Sequence, residues 1–374
     1  MRIPVVPLFA GSLGASTVEV GLINSSFLVM AGILSLPLGI LSDRLGRKLL
    51  IIVGLLISSL TSFLLCFSRA PMQLVAIYLF FGAGLAAFAP TMMSFVADFS
   101  PSTHLGRSYG WYTMSLYGGM SLGPAAGGLV AQELGFRPVF LISGLLIFAV
   151  LWIVVFFLPR ARHVLVNRPP KPKLSVAGRE LLKNRPLWGC WLATLGGCFG
   201  LGMFVTFIPL HAHDRGLNMG EIGLIFGIQA SFNALSRIPF GQLSDKVGNR
   251  ASLVVLGLIG FAASMAGFAF SSNLITFLLV AVAFGVSMGV AFTALGALIS
   301  EVVAPQSRGL AMGGYNASIY LGMMLSSLVM GALIPSIGFP RAFLATGFIN
   351  LLTNGVFYVM IKGFVRCQPA GSER

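Results

Sequence analysis

Eleven apolar runs, each long enough to cross a hydrocarbon layer, leave this chain one class of fold. A spanning helix needs about 20 consecutive apolar residues, and such runs lie at roughly 20–41, 49–67, 72–97, 108–131, 138–158, 187–210, 219–243, 251–270, 273–299, 309–335 and 340–361. Only 9% of the 374 residues are charged and 56% are hydrophobic, a balance no soluble domain tolerates. The spacing therefore predicts an all-α polytopic membrane protein. The opening segment Ile3 to Leu13 is apolar but too short to cross. Arg2 as the only basic residue, two prolines and no small-residue cleavage site argue against a cleaved leader.

An internal repeat divides the chain. The hairpin GILSDRLGRK, Gly39 to Lys48, returns as GQLSDKVGNR, Gly241 to Arg250, at an offset of 202 residues. At the same offset Pro7, Leu8, Gly14, Glu19, Gly21 and Leu22 align with Pro209, Leu210, Gly216, Glu221, Gly223 and Leu224. The expectation is two related bundles, residues 1–158 and 187–362, joined by a basic linker, 159–186, and followed by a polar tail, 363–374. Because the first span of the second half begins near Leu187, the repeat predicts that the chain lacks much of its first helix. The whole plan is then two six-helix bundles with the first helix truncated.

A formal net charge of +14 could suggest nucleic acid, but its distribution points to topology. With both hairpins on the cytoplasmic side, that side holds Arg44, Arg47, Lys48, Arg107, Lys246, Arg250, Arg308, the linker cations, Lys362, Arg366 and Arg374. The other side holds Arg69, Arg137, Arg215 and Arg341. This is the positive-inside pattern, with some attraction of the linker to anionic lipid. The partners expected are the bilayer of a bacterial-type inner membrane, a small-molecule substrate and protons, with no nucleic acid and a monomeric state. The cysteines, Cys66, Cys190, Cys198 and Cys367, show no metal-ligand spacing and read as core residues. His211 and His213 beside Asp214 read as an external loop, with a pH-sensing role left open. No cofactor or metal site is expected.

Ser16 and Glu19 have capping-box spacing at the start of one span, and Asn218 and Glu221 repeat it, so both carboxylates read as helix caps. In the hairpin, Gly39 and Gly46 permit a tight turn between Asp43 and the cations Arg44, Arg47 and Lys48. This stretch resembles the signature loop of the major facilitator superfamily, G-x-x-x-D-R-x-G-R-K/R, at every position. The resemblance implies a charge network of Asp43 and Arg47 with the acid ending helix four, Asp98, that holds the cytoplasmic side shut in one state. The second half repeats the parts as Gly241, Asp245, Gly248, Arg250 and Glu301. Such a network is a bistable latch, paired in one state and solvated in the other.

Helix five carries GWYTMSLYGGMSLGPAAGG from Gly110 to Gly128. Gly119, Gly123 and Gly127 recur every four residues and make one bare face for close helix packing, and Pro124 removes a backbone donor. With Gly110 and Gly128 the stretch resembles the family's G-x(8)-G-x(3)-G-P-x(2)-G-G motif, which is associated with exporters. Helix four departs from the R-x-x-Q-G-x-G pattern of many proton-driven drug antiporters: Gly82 and Gly84 match, but Tyr78 and Phe81 stand at the arginine and glutamine positions. The resemblance places the substrate cavity between the halves, with Tyr78, Phe81, Met92, Phe204, Phe207, Phe284 and Met288 as candidate liners. Gln229, Asn233 and Arg237 form a polar stripe on helix eight. Arg237 either snorkels toward the hairpin or faces the cavity.

These observations point to a secondary transporter, with proton-coupled efflux of a small hydrophobic or drug-like molecule favoured by the helix-five motif. Proton-coupled uptake of a sugar or organic acid is the alternative that helix four supports, and a non-transporting membrane sensor is a third. No clustered Ser, His, Asp or metal constellation suggests an enzyme.

Overall fold

The computed structural model of the chain describes residues 1–100, 105–159, 181, 183–246, 250–304 and 307–366. They are helical almost throughout and contain no strand. Among the described residues twelve helices follow in order. They are α1 (Val5–Ser12), α2 (Thr17–Leu45), α3 (Arg47–Phe67), α4 (Pro71–Phe99), α5 (Leu105–Leu134), α6 (Phe136–Phe157), α7 (Arg185–Asp214), α8 (Met219–Lys246), α9 (Arg250–Phe270) and α10 (Leu274–Val302), then two joined arms. The arms lie within Arg308–Arg366 and part at Gly338, whose φ of 75° is left-handed backbone that no helix contains. They are α11 (308–337) and α12 (339–366).

Each of the eleven apolar runs coincides with one of α2 to α12, overrunning it by at most one residue. Eight segments are long and apolar enough to cross a membrane, the last of them, Leu310–Lys362, running through both α11 and α12. The spans α5 and α8, of 30 and 28 residues, are as long but more polar. Large apolar side chains such as Phe67, Phe157 and Val359 are more than 70% exposed. In water they would be a liability; on a membrane helix they face lipid tails.

The repeat is visible in helix lengths: α3 and α9 have 21 residues each, and α4 and α10 have 29 each. From α3 onward the offset is 203 rather than 202, because one more residue separates Gly248 from Arg250 than Gly46 from Arg47. Arg47 and Arg250 are therefore equivalent, each the first residue of its helix. Both capping boxes form. Ser16 N donates to Glu19 Oε2 at 2.8 Å and Asn218 N to Glu221 Oε2 at 2.8 Å, and each glutamate's amide donates back to the cap side chain.

The described residues make two compact units. The first comprises those of Met1–Val166 with Val205–Gly227 and Ser327–Pro335. In it α2 packs on α4, and α3 on α4 and α6, around a core that includes Val5, Phe9, Ile23, Tyr78 and Phe140. The second comprises those of Asn167–Phe204, Ile228–Ser326 and Ser336–Arg374. Its centre is aromatic: the Phe268 ring lies 5.5 Å from Phe204, 5.8 Å from Phe284, and 6.3 Å from both Phe277 and Phe343. Cys190 and Cys198 are buried free thiols and Cys66 is half-buried. Cys367 and most of the linker lie outside the described residues.

Candidate functional site

The charged hairpins supply the most specific geometry. Gly46 ends α2 and precedes α3 with a φ of 96°, a conformation that favours glycine, so the chain reverses within one residue. That turn places Arg47 at the start of α3, where its Nε lies 2.6 Å from Asp98 Oδ2 at the end of α4. In the second half Arg250 Nη1, at the start of α9, lies 3.2 Å from Glu301 Oε1 at the end of α10. Each arginine sits at the positive end of its helix dipole and each acid at the negative end of its own, so neither helix favours its charge and the pairing offsets that penalty. Lys48 leaves this pair and donates to the carbonyl oxygens of Val155 and Leu158 at 2.8 and 2.6 Å, closing the C-terminus of α6. The side chains of Asp43, Arg44 and Asp245, and all of Gly248, lie outside the described residues. A methyl at Gly39 would meet nothing, and one at Gly241 would only touch Thr293.

At the opposite helix ends of the first unit, α2 is tied to α7 and α11. Asn24 Nδ2 donates to Thr206 Oγ1 at 2.8 Å, Thr206 shares a 2.8 Å hydrogen bond with Ser327 Oγ, and Thr17 Oγ1 donates to the Gly331 carbonyl at 3.0 Å. The glycine face of α5 meets two neighbours. A methyl on Gly127 would fall on the Met1 carbonyl, and one on Gly123 would lie 2.9 Å from the Met1 nitrogen. Gly128 faces α8, where a methyl would fall on the Met219 carbonyl, and a methyl on Gly223 would come within 2.6 Å of the Pro124 carbonyl. Ser121 Oγ donates to the Gly227 carbonyl at 3.1 Å, and the Gln132 side chain accepts from Gly220 N at 3.2 Å. Helix α5 and the start of α8 thus approach backbone to backbone. A methyl on Gly119 would meet nothing, and of Gly110 only the helical backbone is described.

The remaining candidates separate into distinct groups. On α4, Tyr78 and Phe81 stand 5.8 Å apart, and Phe27 of α2 lies 5.7 and 5.8 Å from them. Above the Phe81 ring, at 4.2 Å, is the guanidinium of Arg2. Met92 packs beside Ile51, Leu55 and Phe95. Phe204 and Phe284 meet as tilted rings in the aromatic centre of the second unit, 4.9 Å apart, and Phe207 is fully buried in the first unit, near Gly331. The polar stripe of α8 is drawn onto α10: Gln229 Nε2 and Asn233 Nδ2 lie 3.5 and 3.2 Å from Met288 Sδ, and Arg237 Nε donates to Asn233 Oδ1 at 3.2 Å.

Three features were missed from the sequence. Arg2 read only as the basic part of a rejected leader. Asn24, Thr206 and Ser327 are single polar residues in apolar runs, and an asparagine inside a span was the signal that could have exposed them. The carbonyl contacts of Lys48 link residues about a hundred positions apart, which no local pattern reports.

Comparison with known proteins agrees with this architecture. The profile described as Major Facilitator Superfamily matches residues 1–220 and 211–372. Over 365 residues the chain is 24% identical to an uncharacterised MFS-type transporter of Methanocaldococcus jannaschii, spanning 96% of this chain and 93% of that protein. It is 25% identical over 341 residues to the quinolone resistance protein NorA of Staphylococcus aureus, spanning 88% and 84%. The solved structure of a bacterial homologue of the human lysosomal transporter Spinster superposes with a TM-score of 0.78 at 16% identity, covering 99% of this chain and 95% of that one. With the profile spanning both halves, and the charged hairpin standing between the second and third helices of each, the chain belongs to the major facilitator superfamily.

Proposed function

We propose that this transporter works by alternating access as a monomer in a bacterial-type inner membrane and exports a small hydrophobic molecule in exchange for protons. The observation that carries the direction is the backbone-to-backbone contact of α5 with the start of α8, built from Gly128, Pro124 and Gly223. It gives physical form to the glycine-proline pattern that resembles the exporter motif, and the similarity to NorA supports the same direction. In this reading the hairpins face the cytoplasm, and the pairs Arg47–Asp98 and Arg250–Glu301 act as latches. The Asn24–Thr206–Ser327 bonds close the external ends. Neutral hydrogen bonds are worth about 1 kcal/mol each, few enough here for substrate binding to open them. The two bundles act as the domains 1–158 and 187–362.

Uptake is the second reading, favoured by Tyr78 and Phe81 where an antiporter-like helix four carries arginine and glutamine. Inverted vesicles loaded with the transporter separate the two. Gradient-dependent accumulation of a fluorescent drug-like dye is expected, and it should fall at least tenfold in Gly128→Leu with membrane insertion unchanged. Dye movement in the opposite direction, or unaffected by the proton gradient, overturns proton-coupled export.

A further inference from the structure

We infer that Arg2, Phe81 and Tyr78 form an anion-binding subsite, taking the carboxylate, sulfonate or phosphate head of an amphipathic organic substrate. The inference rests on the transport reading above and gives that substrate a charge.

Arg2 lies against the first unit's α4, its guanidinium carbon 4.2 Å over the centre of the Phe81 ring. One of its terminal nitrogens, Nη1, is buried without a hydrogen-bond partner. Tyr78, on α4 beside Phe81, is only 5% exposed. The attraction of a cation to an aromatic face is weaker than the loss a guanidinium suffers when it is withdrawn from water without a counter-ion. The ring therefore orients Arg2 without balancing it.

The chain supplies no acid at that depth among the described residues. Of its ten carboxylates, eight have described backbone: Glu19, Asp43, Asp98, Glu133, Asp214, Glu221, Asp245 and Glu301. Every one of these lies within three residues of a helix end. The other two, Glu180 and Glu373, lie outside the described residues. The contrast with Arg237 is informative: in its own unit that arginine is hydrogen-bonded to Asn233 Oδ1. A guanidinium held over an aromatic ring, with a donor left open and the carboxylates of the described residues confined to helix ends, is arranged to receive an anion. The planar fork of arginine suits a carboxylate or phosphate-like head. The rings of Phe27, Tyr78 and Phe81, all within 6 Å of one another, offer the apolar body a packing surface.

The test uses three probes with one ring system and three charges: naphthylacetate, its neutral amide and naphthylmethylammonium. A ligand that binds the folded state raises the melting temperature in proportion to its affinity, so each is titrated into the purified full chain in detergent. Naphthylacetate should stabilise the wild type more than the other two, Arg2→Gln should abolish that preference, and Arg2→Lys should keep part of it. An anion that stabilises no better than the amide, or a preference that survives Arg2→Gln, overturns the inference. The wild-type comparison decides the matter even where a variant folds poorly. Because the readout needs no gradient, a failure of export leaves the result standing, and a failure here leaves export untouched.

Discussion

The two charged hairpins are one design carried out twice, and they differ in how firmly each is held. Arg47 and Asp98 meet at 2.6 Å with side chains 10% and 32% exposed, whereas Arg250 and Glu301 meet at 3.2 Å with side chains 23% and 37% exposed. The neighbouring cations also differ. In the first half Lys48 reaches across to the end of α6. In the second, the residue after Arg250 is Ala251, and Arg308 at the start of α11 instead donates to the Ser300 carbonyl at 3.1 Å, next to Glu301. A pair removed from water is costly to break, because the survivor stays desolvated, while an exposed pair is screened and worth little. The comparison teaches that the proposed latches are unequal, with the first half holding the firmer one.

The largest effect expected is at Arg47. Arg47→Ala removes the cation that faces Asp98 at the negative end of α4 and should cost about 2 kcal/mol, roughly thirtyfold in transport rate, measured in vesicles with insertion checked by surface labelling. Arg250→Ala should cost about 0.5–1 kcal/mol, no more than about fivefold, because its pair is more exposed; an equal loss at both sites breaks the comparison. Lys48→Ala should lower thermal stability by about 0.5–1 kcal/mol through the loss of a helix C-terminal cation while transport stays within about twofold, which separates fastening α6 from latching. The smallest effect is that of salt. Raising ionic strength from low to about 0.5 M should weaken the second pair's contribution more than the first's, since screening acts on exposed charges; transport by the Arg47→Ala and Arg250→Ala variants against wild type reads the difference.

Much of the fold was legible because a bilayer imposes a length and a polarity on every span. The eleven runs mark α2 to α12, and the repeat marks the halves. Both glutamate caps were legible because a capping box is local, spanning four residues. The shift of offset from 202 to 203 was not, since it comes from one residue at Asn249 that a helix boundary absorbs. Partners distant in sequence were hidden for the same physical reason. The bond of Asn24 to Thr206, the carbonyls that hold Lys48 and the ring beneath Arg2 are all products of helix packing. Aromatic residues posed the opposite difficulty. Phe204 and Phe284 have the composition of a binding surface, and their burial against Phe268 is visible only once α7, α9 and α10 are assembled.

A double-mutant cycle in both halves separates a firm first latch from a weak second one. Transport is measured for Arg47→Gln, Asp98→Asn and the double variant, and for Arg250→Gln, Glu301→Gln and their double. Latches of unequal firmness should show a coupling of about 1–2 kcal/mol in the first half, with the double variant closer to wild type than either single, and less than about 0.5 kcal/mol in the second. Equal couplings, or a larger one between Arg250 and Glu301, would contradict that inequality.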